Sequence, residues 1–341
     1  SGAGKSSFIN AIRGLPDYDP QAAKVDVKEA TKEPTPYEHP FNPKIIFWDV
    51  PGIGTPKYPN MKVYCKKITL EKYDAFLFFS RGRFTALDSE LAKKAKSIGK
   101  PFFFIRAHVA TDVSNAKKSE GPYFNEDVTL ESIRNNCYQN LRDLLDCETD
   151  IYLIDNKEKA KWDFDRLIAG ISNVLPERRR ECFILSLSNV TRDCLKRKAV
   201  LLKVRAGILA ITTAAASAIP VPIVGAAIDL ALIFEEVVQY HKQFGIPTQG
   251  SSEFEKLEKK LQETILKFTF HSFKCLAIEL VAELGLELGA EEVSKYVPVA
   301  GTIVACAISA GTTSRYLIRC INKLEEAALE IWDAEVTCAH P

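Results

Sequence analysis

The sequence predicts a mostly parallel β-sheet with helices on both faces, followed by an all-α domain. Two observations predict the first part: short apolar runs alternate with amphipathic stretches, and a glycine-rich turn precedes a helix at the start of the chain. Alternating β and α units are typical of a parallel sheet covered by helices. Strand patterns stop near Pro176, where long helical patterns begin. We therefore predict two domains, 1–175 and 176–341, with the boundary at Leu175–Pro176.

Four apolar runs in the first domain are short, bounded by turn residues and rich in aromatic and β-branched side chains, which favours strands buried on both faces. These predicted strands are Lys44–Trp48, Ala75–Phe79, Pro101–Ile105 and Ile151–Ile154. The amphipathic stretches between them predict helices at Ser6–Arg13, Leu87–Ile98 and Leu130–Leu145. Helical patterns in the second domain cover Phe183–Val204, Ser251–Phe268 with a continuation to Leu288, and Thr312–Val336.

Composition excludes some classes of protein. The net charge of +1 over 341 residues excludes a strongly basic nucleic-acid-binding protein, so we expect no nucleic-acid partner. Nine cysteines without a C-x-x-C pair favour reduced thiols in the cytoplasm over disulfides or a zinc site. The first residue is not Met, and Met61 is the only methionine. We therefore expect a truncated N-terminus that lacks the strand before the glycine-rich turn, and a resulting loss of core packing and stability.

The opening residues SGAGKSS resemble the end of a phosphate-binding loop, G-x-x-x-x-G-K-[ST]. Backbone N–H groups of such a loop and of the following helix surround phosphate, which assigns phosphate contacts to six consecutive residues. They are Gly2, Ala3, Gly4, Lys5, Ser6 and Ser7. Lys5 is expected to reach the β- and γ-phosphates, and the Ser6 hydroxyl to bind Mg²⁺. A glycine-rich turn with no ligand is the structural alternative.

A second motif, Asp49-Val50-Pro51-Gly52, follows the predicted strand Lys44–Trp48. A D-x-x-G sequence at this position is the γ-phosphate sensor of GTPases, with Asp49 contacting Mg²⁺ through water and the Gly52 N–H meeting the γ-phosphate. Thr31 or Thr35 is a candidate for a second hydroxyl on Mg²⁺, and we prefer Thr31. Alternatively, Thr31 is an ordinary loop threonine. The two motifs together predict an α/β P-loop GTPase domain that binds GTP or GDP with Mg²⁺.

The segments GKSSFINAIRGL, YEHPFNPKIIFWDVPGIGT and YDAFLFF resemble the immunity-related (interferon-inducible) GTPase family. So do IPVPIVGAAIDLA and VPVAGTIVACAISAGTTSRYL in the helical half, so the resemblance covers essentially the whole chain. It implies GTP binding, slow hydrolysis accelerated by self-association with related GTPases, and action on intracellular membranes in defence against vacuolar pathogens. One branch of the family carries Met where this chain has Lys5, so the lysine implies the effector-type branch.

Two positions depart from the pattern of GTPases. Ile53 follows D-x-x-G where Ras-like enzymes carry a glutamine that orients water, so an isolated monomer is expected to hydrolyse GTP very slowly. The guanine-reading motif [NT]-K-x-D is replaced by Ala107-His108-Val109-Ala110. His108 is a candidate to stack on the base, and Asp112 to replace the missing carboxylate.

In the second base loop Asn156 and Lys157 fit the family pattern, while Asp155 replaces its usual serine. The phosphate half of the site is therefore expected to be intact and the base half to be altered. A pseudo-GTPase that acts as an interaction scaffold is the alternative function.

The helical half contains an almost wholly apolar run from Ile208 to Phe234. Pro220 and Pro222 divide this run into pieces too short to span a bilayer, which favours buried core helices over reversible membrane insertion or a fixed span. Five upstream cations alternate with apolar residues, a pattern that also fits a helix lying on an anionic membrane. They are Lys196, Arg197, Lys198, Lys203 and Arg205. Peripheral contact with a membrane therefore stays open.

Overall fold

The computed structural model describes residues 2–25, 33–40, 42–145, 147–187, 191–216, 222–269 and 310–339. The chain forms two compact units, Ser1–Thr191 and Arg192–Pro341. The first contains all the described strands, and the second is helical wherever it has regular structure in the described ranges. Helix α7 (Glu177–Ser186), which lies beyond the predicted domain boundary, belongs to the first unit.

A parallel sheet forms the centre of the first unit. Its strands are β3 (Phe76–Ser80), β4 (Phe102–Arg106) and β5 (Ile151–Leu153), in the spatial order β3-β4-β5. The middle strand is buried on both faces from Phe103 to Arg106, as its continuous apolar run predicts. Because the strands are parallel, their carboxyl ends lie at one edge, where the connecting loops meet.

The first predicted strand differs from expectation. It is β2 (Asn42–Asp49), and it pairs antiparallel with an unpredicted strand, β1 (Thr35–His39), in a two-stranded sheet of its own among the described residues. The prediction that this strand is buried on both faces was wrong, because Ile46 is 43% exposed and Lys44 is exposed. Antiparallel pairs tolerate one solvated face, which explains the polar residues of β1 and β2.

The helices of the first unit lie close to the predicted positions. Helix α1 spans Lys5–Arg13 and packs Phe8 between Phe79 of β3 and Phe164, with ring centroids 5.1 and 5.8 Å apart. The predicted helix Leu130–Leu145 is observed at Glu126–Tyr138. It begins earlier because the Asn125 side chain accepts a hydrogen bond from Val128 N and caps it there. The remaining helices are α2 (Met61–Lys67), α3 (Ala86–Ser97), α4 (Val109–Glu120), α5 (Glu126–Tyr138) and α6 (Phe164–Val174).

In its described residues, the second unit contains three long helices. They are α8 (Arg192–Ala216), α9 (Pro222–Phe244) and α12 (Ala310–Ala339), and the short helices α10 (Ser252–Glu255) and α11 (Lys259–Lys267) lie between the last two in sequence. The predicted helix over 183–204 is divided between α7 and α8. The predicted helix over 251–268 is divided between α10 and α11. Its continuation to Leu288 lies outside the described residues.

The apolar run of the second unit is only partly buried where its side chains are described. Ala210 and Ile233 are buried, whereas Ile208 and Ile211 are exposed, and Pro220 lies outside the described residues. None of the described helices has the length and apolar character needed to cross a bilayer.

The cations upstream of this run make contacts inside the unit. Lys203 pairs with Glu325 at 3.2 Å, Arg205 pairs with Glu236 at 2.7 Å, and the buried Lys198 donates to the Gln243 carbonyl.

Candidate functional site

The phosphate loop has the backbone shape that its glycines predict. Gly2 and Gly4 have φ angles of 75° and 85°, in the left-handed region that favours glycine. No side chain caps α1 at Gly4, and its first intrahelical bond runs from Phe8 N to the Gly4 carbonyl at 2.9 Å. The amides of the preceding helical residues are the ones that an α-helix leaves without intrahelical acceptors. This arrangement is suited to an anion.

Ser6 and Asp49 meet although they are distant in sequence. The Ser6 hydroxyl donates to Asp49 Oδ2 at 2.6 Å, and Asp49 is buried at the end of β2. A hydroxyl and a carboxylate are ligand types that suit Mg²⁺, which takes few protein ligands and the remainder from phosphate and water. The described residues hold no group of three or more acidic, His or Cys side chains that is able to bind a metal. The Ser6–Asp49 pair therefore fits a phosphate-bound Mg²⁺.

Thr31 and Thr35 are the two candidates for a further hydroxyl on Mg²⁺, and the structure describes only Thr35. Thr31 lies outside the described residues. Thr35 is exposed at the start of β1, where its hydroxyl donates to the Glu33 carbonyl at 3.0 Å.

The D-x-x-G loop is held from one side. Tyr64 donates to the Pro51 carbonyl at 3.3 Å, and Gly54 N donates to the Tyr58 carbonyl at 2.8 Å. Gly52 is exposed, and a Cβ added to it would meet no atom within 4 Å. Ile53 packs against the apolar core, and its aliphatic side chain has no atom that forms a hydrogen bond to water.

Both base loops contact Gly4. Asn156 Nδ2 donates to the Gly4 carbonyl at 3.0 Å, and a Cβ added to Gly4 would lie 3.3 Å from both Asn156 Nδ2 and His108 Nε2. His108 has a left-handed φ of 62° at the start of α4. The structure thus brings together Gly4, Asn156 and His108, three of the predicted site residues. A Cβ at Gly4 would therefore be tightly packed, and the left-handed φ of Gly4 would strain any larger residue there.

The predicted replacement for the base-reading carboxylate is engaged elsewhere. Asp112 lies in the first turn of α4 and forms an ion pair with Arg106 at 2.5 Å, where the Arg106 side chain is 9% exposed. Ala110, in the same turn, has no polar side-chain atom. Asp155 accepts a hydrogen bond from Lys157 N at 3.0 Å, so Asp155 shapes the turn that carries Asn156, while the Lys157 side chain is exposed.

Sequence reasoning missed three polar residues around these loops. Arg106 ends β4 and holds Asp112, Lys159 donates to the Ala11 carbonyl at 3.2 Å, and Asp163 accepts a bond from Leu153 N at 2.8 Å. Burial lowers the pKa of Lys159. Arg106 directly follows the predicted strand Pro101–Ile105, and Lys159 and Asp163 lie in the segment after Ile151–Ile154. These positions were the available signal, because loops at the carboxyl ends of parallel strands form binding sites.

The sequence matches the model of the interferon-inducible GTPase (IIGP) family over residues 1–321. The chain belongs to this family. It is similar to interferon-inducible GTPase 5 of Bos taurus, with 35% identity covering 97% of this chain and 72% of the relative. Interferon-inducible GTPase 5 of Rattus norvegicus is 34% identical over 97% of this chain and 73% of its own length.

A further relative is T-cell-specific guanine nucleotide triphosphate-binding protein 2 of Mus musculus. It is 32% identical over 80% of this chain and 64% of its own length. The resemblance drawn from the phosphate loop and the D-x-x-G segment is therefore confirmed. Membership supports GTP binding and GTPase activity as the class of function.

Proposed function

We propose that this protein binds GTP with Mg²⁺ and hydrolyses it slowly, and that the bound nucleotide controls self-assembly on intracellular membranes in innate immune defence. The main observation in support is the meeting of Gly4 with Asn156 and His108, beside the Ser6–Asp49 hydrogen bond. The family membership supports the nucleotide. Cytoplasmic location, peripheral contact with membranes and association with related GTPases follow as parts of the same proposal.

In this proposal each group has a distinct role. Lys5, half-buried at the start of α1, neutralises the β- and γ-phosphates, and the N–H groups from Gly2 to Ser7 surround them. Ser6 and Asp49 hold Mg²⁺, which offsets phosphate charge when bound. The Gly52 amide contacts the γ-phosphate, with Thr31 as the further hydroxyl. Asn156, Lys157 and His108 form the base side, with Asp112 as a candidate to read guanine.

The second candidate is a pseudo-GTPase that acts as an interaction scaffold. Two observations favour it: Ala110 offers no acceptor to a guanine base, and Asp112 is already paired with Arg106. Unpaired guanine donors would weaken binding by about 1–3 kcal/mol per group.

Titration of the purified protein with GTP, GDP, ATP and xanthosine triphosphate in Mg²⁺ separates the two functions. Binding of GTP at micromolar concentration, weakened at least tenfold by Lys5→Ala, is the expected result, because the lysine is the cation for the β- and γ-phosphates. Lys93→Ala is the matched control, since Lys93 is an exposed lysine of α3. Absence of binding at millimolar nucleotide would contradict the GTPase proposal and favour the scaffold.

A further inference from the structure

We propose that Asp163 is a positioning residue for the phosphate loop, which it reaches through Asn156. Asn156 lies in the segment 154–162, which leads from β5 toward α6 and which we call the brace loop. Asp163 directly follows this loop. The effect of this positioning on nucleotide affinity rests on the proposed function. The positioning itself is a property of the protein without ligand, which keeps the two separately testable.

Asp163 closes the base of the brace loop. Its backbone N–H donates to the Leu153 carbonyl at 2.9 Å, and its side-chain Oδ2 accepts from Leu153 N at 2.8 Å. The last residue of β5 and the first residue after the loop are therefore joined by two hydrogen bonds. A loop whose ends are tied in this way has fewer conformations available to its tip.

Two arginines hold the Asp163 carboxylate. Arg134 of α5 donates to Oδ2 at 3.0 Å, and Arg166 of α6 donates to Oδ1 at 3.0 Å. Each arginine also donates to the Ile151 carbonyl, at 2.5 and 2.9 Å, so the carboxylate is tied to β5 a second time. The Asp163 side chain is 15% exposed, and charge-assisted bonds at such a site are stronger than neutral ones.

The tip of the brace loop holds both ends of α1. Asn156 donates to the carbonyl of Gly4, at the start of the helix, and Lys159 donates to the carbonyl of Ala11, in its last turn. A cation at the carboxyl end of a helix complements its dipole. The brace loop therefore fixes α1, and with it the phosphate loop, relative to β5.

Fixing the Gly4 carbonyl also fixes the direction of the Lys5 amide. The carbonyl of Gly4 and the N–H of Lys5 belong to one planar trans peptide and point in opposite directions. The Gly4 oxygen accepts from both Phe8 N at 2.9 Å and Asn156 Nδ2 at 3.0 Å, so it is held away from the loop interior. The Lys5 N–H then points toward the position of a phosphate.

A double-mutant cycle on the affinity for GDP with Mg²⁺ tests the connection. Asn156→Ala and Asp163→Asn are each expected to weaken GDP binding roughly tenfold, because both disturb the position of the phosphate loop. If Asp163 acts through Asn156, the double variant binds no more weakly than Asn156→Ala alone. The matched control is Asp74→Asn, which removes an exposed aspartate paired with Arg179 and leaves the affinity unchanged. Fully additive losses would overturn the proposal.

Hydrogen exchange of the nucleotide-free protein gives a readout that is independent of binding. Asp163→Asn is expected to speed exchange in residues 2–8 and 154–162, while Asp74→Asn changes neither segment. Arg134→Lys, which keeps the positive charge, serves as a milder second variant if Asp163→Asn does not fold. Faster exchange in Asp163→Asn, together with a wild-type protein that binds no nucleotide, would refute the proposed function alone. Unchanged exchange in residues 2–8 would refute the positioning role, whatever the affinity.

Discussion

The Ser6 hydroxyl is the residue-scale feature on which the metal site depends. It donates to the buried carboxylate of Asp49 at 2.6 Å, a charge-assisted bond worth about 1.5–3 kcal/mol. In the proposed complex Ser6 and Asp49 would hold Mg²⁺, Asp49 through water. We therefore expect the hydroxyl to contribute both to the stability of the free protein and to the proposed metal dependence of nucleotide binding.

Ser6→Ala is expected to lower the free energy of unfolding by about 1–3 kcal/mol and to remove most of the gain in GTP affinity that Mg²⁺ gives. The measurements are urea unfolding, and GTP titration in Mg²⁺ and in EDTA. Ser97→Ala is the control, because Ser97 Oγ makes only a local bond to the Lys94 carbonyl at the end of α3. An affinity that stays equally dependent on Mg²⁺ in Ser6→Ala would exclude Ser6 as a metal ligand.

Ala110 allows a gain-of-function test of base recognition. Ala110→Asp places a carboxylate in the first turn of α4, where a negative charge is tolerated by the helix amino end. The new carboxylate is expected to raise the preference for GTP over ATP at least tenfold, because it gives the guanine N–H donors an acceptor that Ala110 does not provide.

The comparison uses competition binding of GTP and ATP. Ser114→Asp adds the same charge to an exposed position of α4 and is expected to leave the preference unchanged. If the wild-type protein already prefers GTP strongly and Ala110→Asp adds nothing, then another group reads the base.

Residues at the site differ in how far sequence predicts them. The phosphate loop and Asp49 are predictable, because the required backbone shape and metal chemistry restrict the residue types to short motifs. The Arg106–Asp112 pair is not, since it depends on the angle at which α4 leaves β4. The hydrogen bond from Asn156 to Gly4 joins residues that are 152 positions apart in sequence, and only the folded chain shows it.

At the scale of elements, the brace loop has a defined dependence on pH. Burial favours the neutral form of Asp163, but hydrogen bonds from Arg166 and Leu153 N, together with the charges of Arg134 and Arg166, outweigh it and lower its pKa. A lowered pKa means that the carboxylate stabilises the fold above its unfolded pKa of about 3.9. This stabilisation is lost as the pH falls through the lower, folded pKa.

The stability difference between wild-type protein and Asp163→Asn is therefore expected to be constant from about pH 7 to pH 5, and to shrink below about pH 4. Urea unfolding of both proteins across this range measures it. Asp74→Asn, at an exposed ion pair, is expected to show little difference at any pH. A difference for Asp163→Asn that is independent of pH would mean that the charge of Asp163 does not stabilise the fold.

The elements also show where pattern-based prediction ends. The continuous aromatic run of β4 predicts its burial, and the structure agrees. The antiparallel β1–β2 pair escaped prediction because Thr35–His39 contains two polar and two aromatic or imidazole side chains around a proline, with no apolar run. Pairing with the next strand, β2, rather than the propensity of the segment itself, makes it a strand.

At the scale of the whole molecule, the helical unit is held by apolar packing and by ion pairs between its helices. Lys203 of α8 pairs with Glu325 of α12, and Arg205 of α8 pairs with the buried Glu236 of α9. With Lys198, which donates to the Gln243 carbonyl, three of the cations that suggest a membrane-binding face are thus used within the unit. Lys196 is exposed, so a role of α8 at an anionic surface depends on few charges.

Catalysis is the other whole-molecule question, because the residue after Gly52 is Ile53, which has no polar side-chain atom to orient water. Ile53 packs into the core, and its aliphatic side chain is unable to accept or donate a hydrogen bond. We therefore expect the missing catalytic group to come from a second molecule. A charge supplied in this way accelerates related reactions by about 10³–10⁵-fold.

Phosphate release per molecule is accordingly expected to rise with protein concentration at saturating GTP, and to stay at background in Lys5→Ala at every concentration. The measurement is phosphate release from about 1 to 100 μM protein, with the mass of the particles followed by light scattering; interfaces of modest area dissociate in this range. Turnover that rises together with particle mass would support assembly as the source of the catalytic group. Turnover per molecule that is constant while the protein stays monomeric would show that one chain holds the complete catalytic machinery.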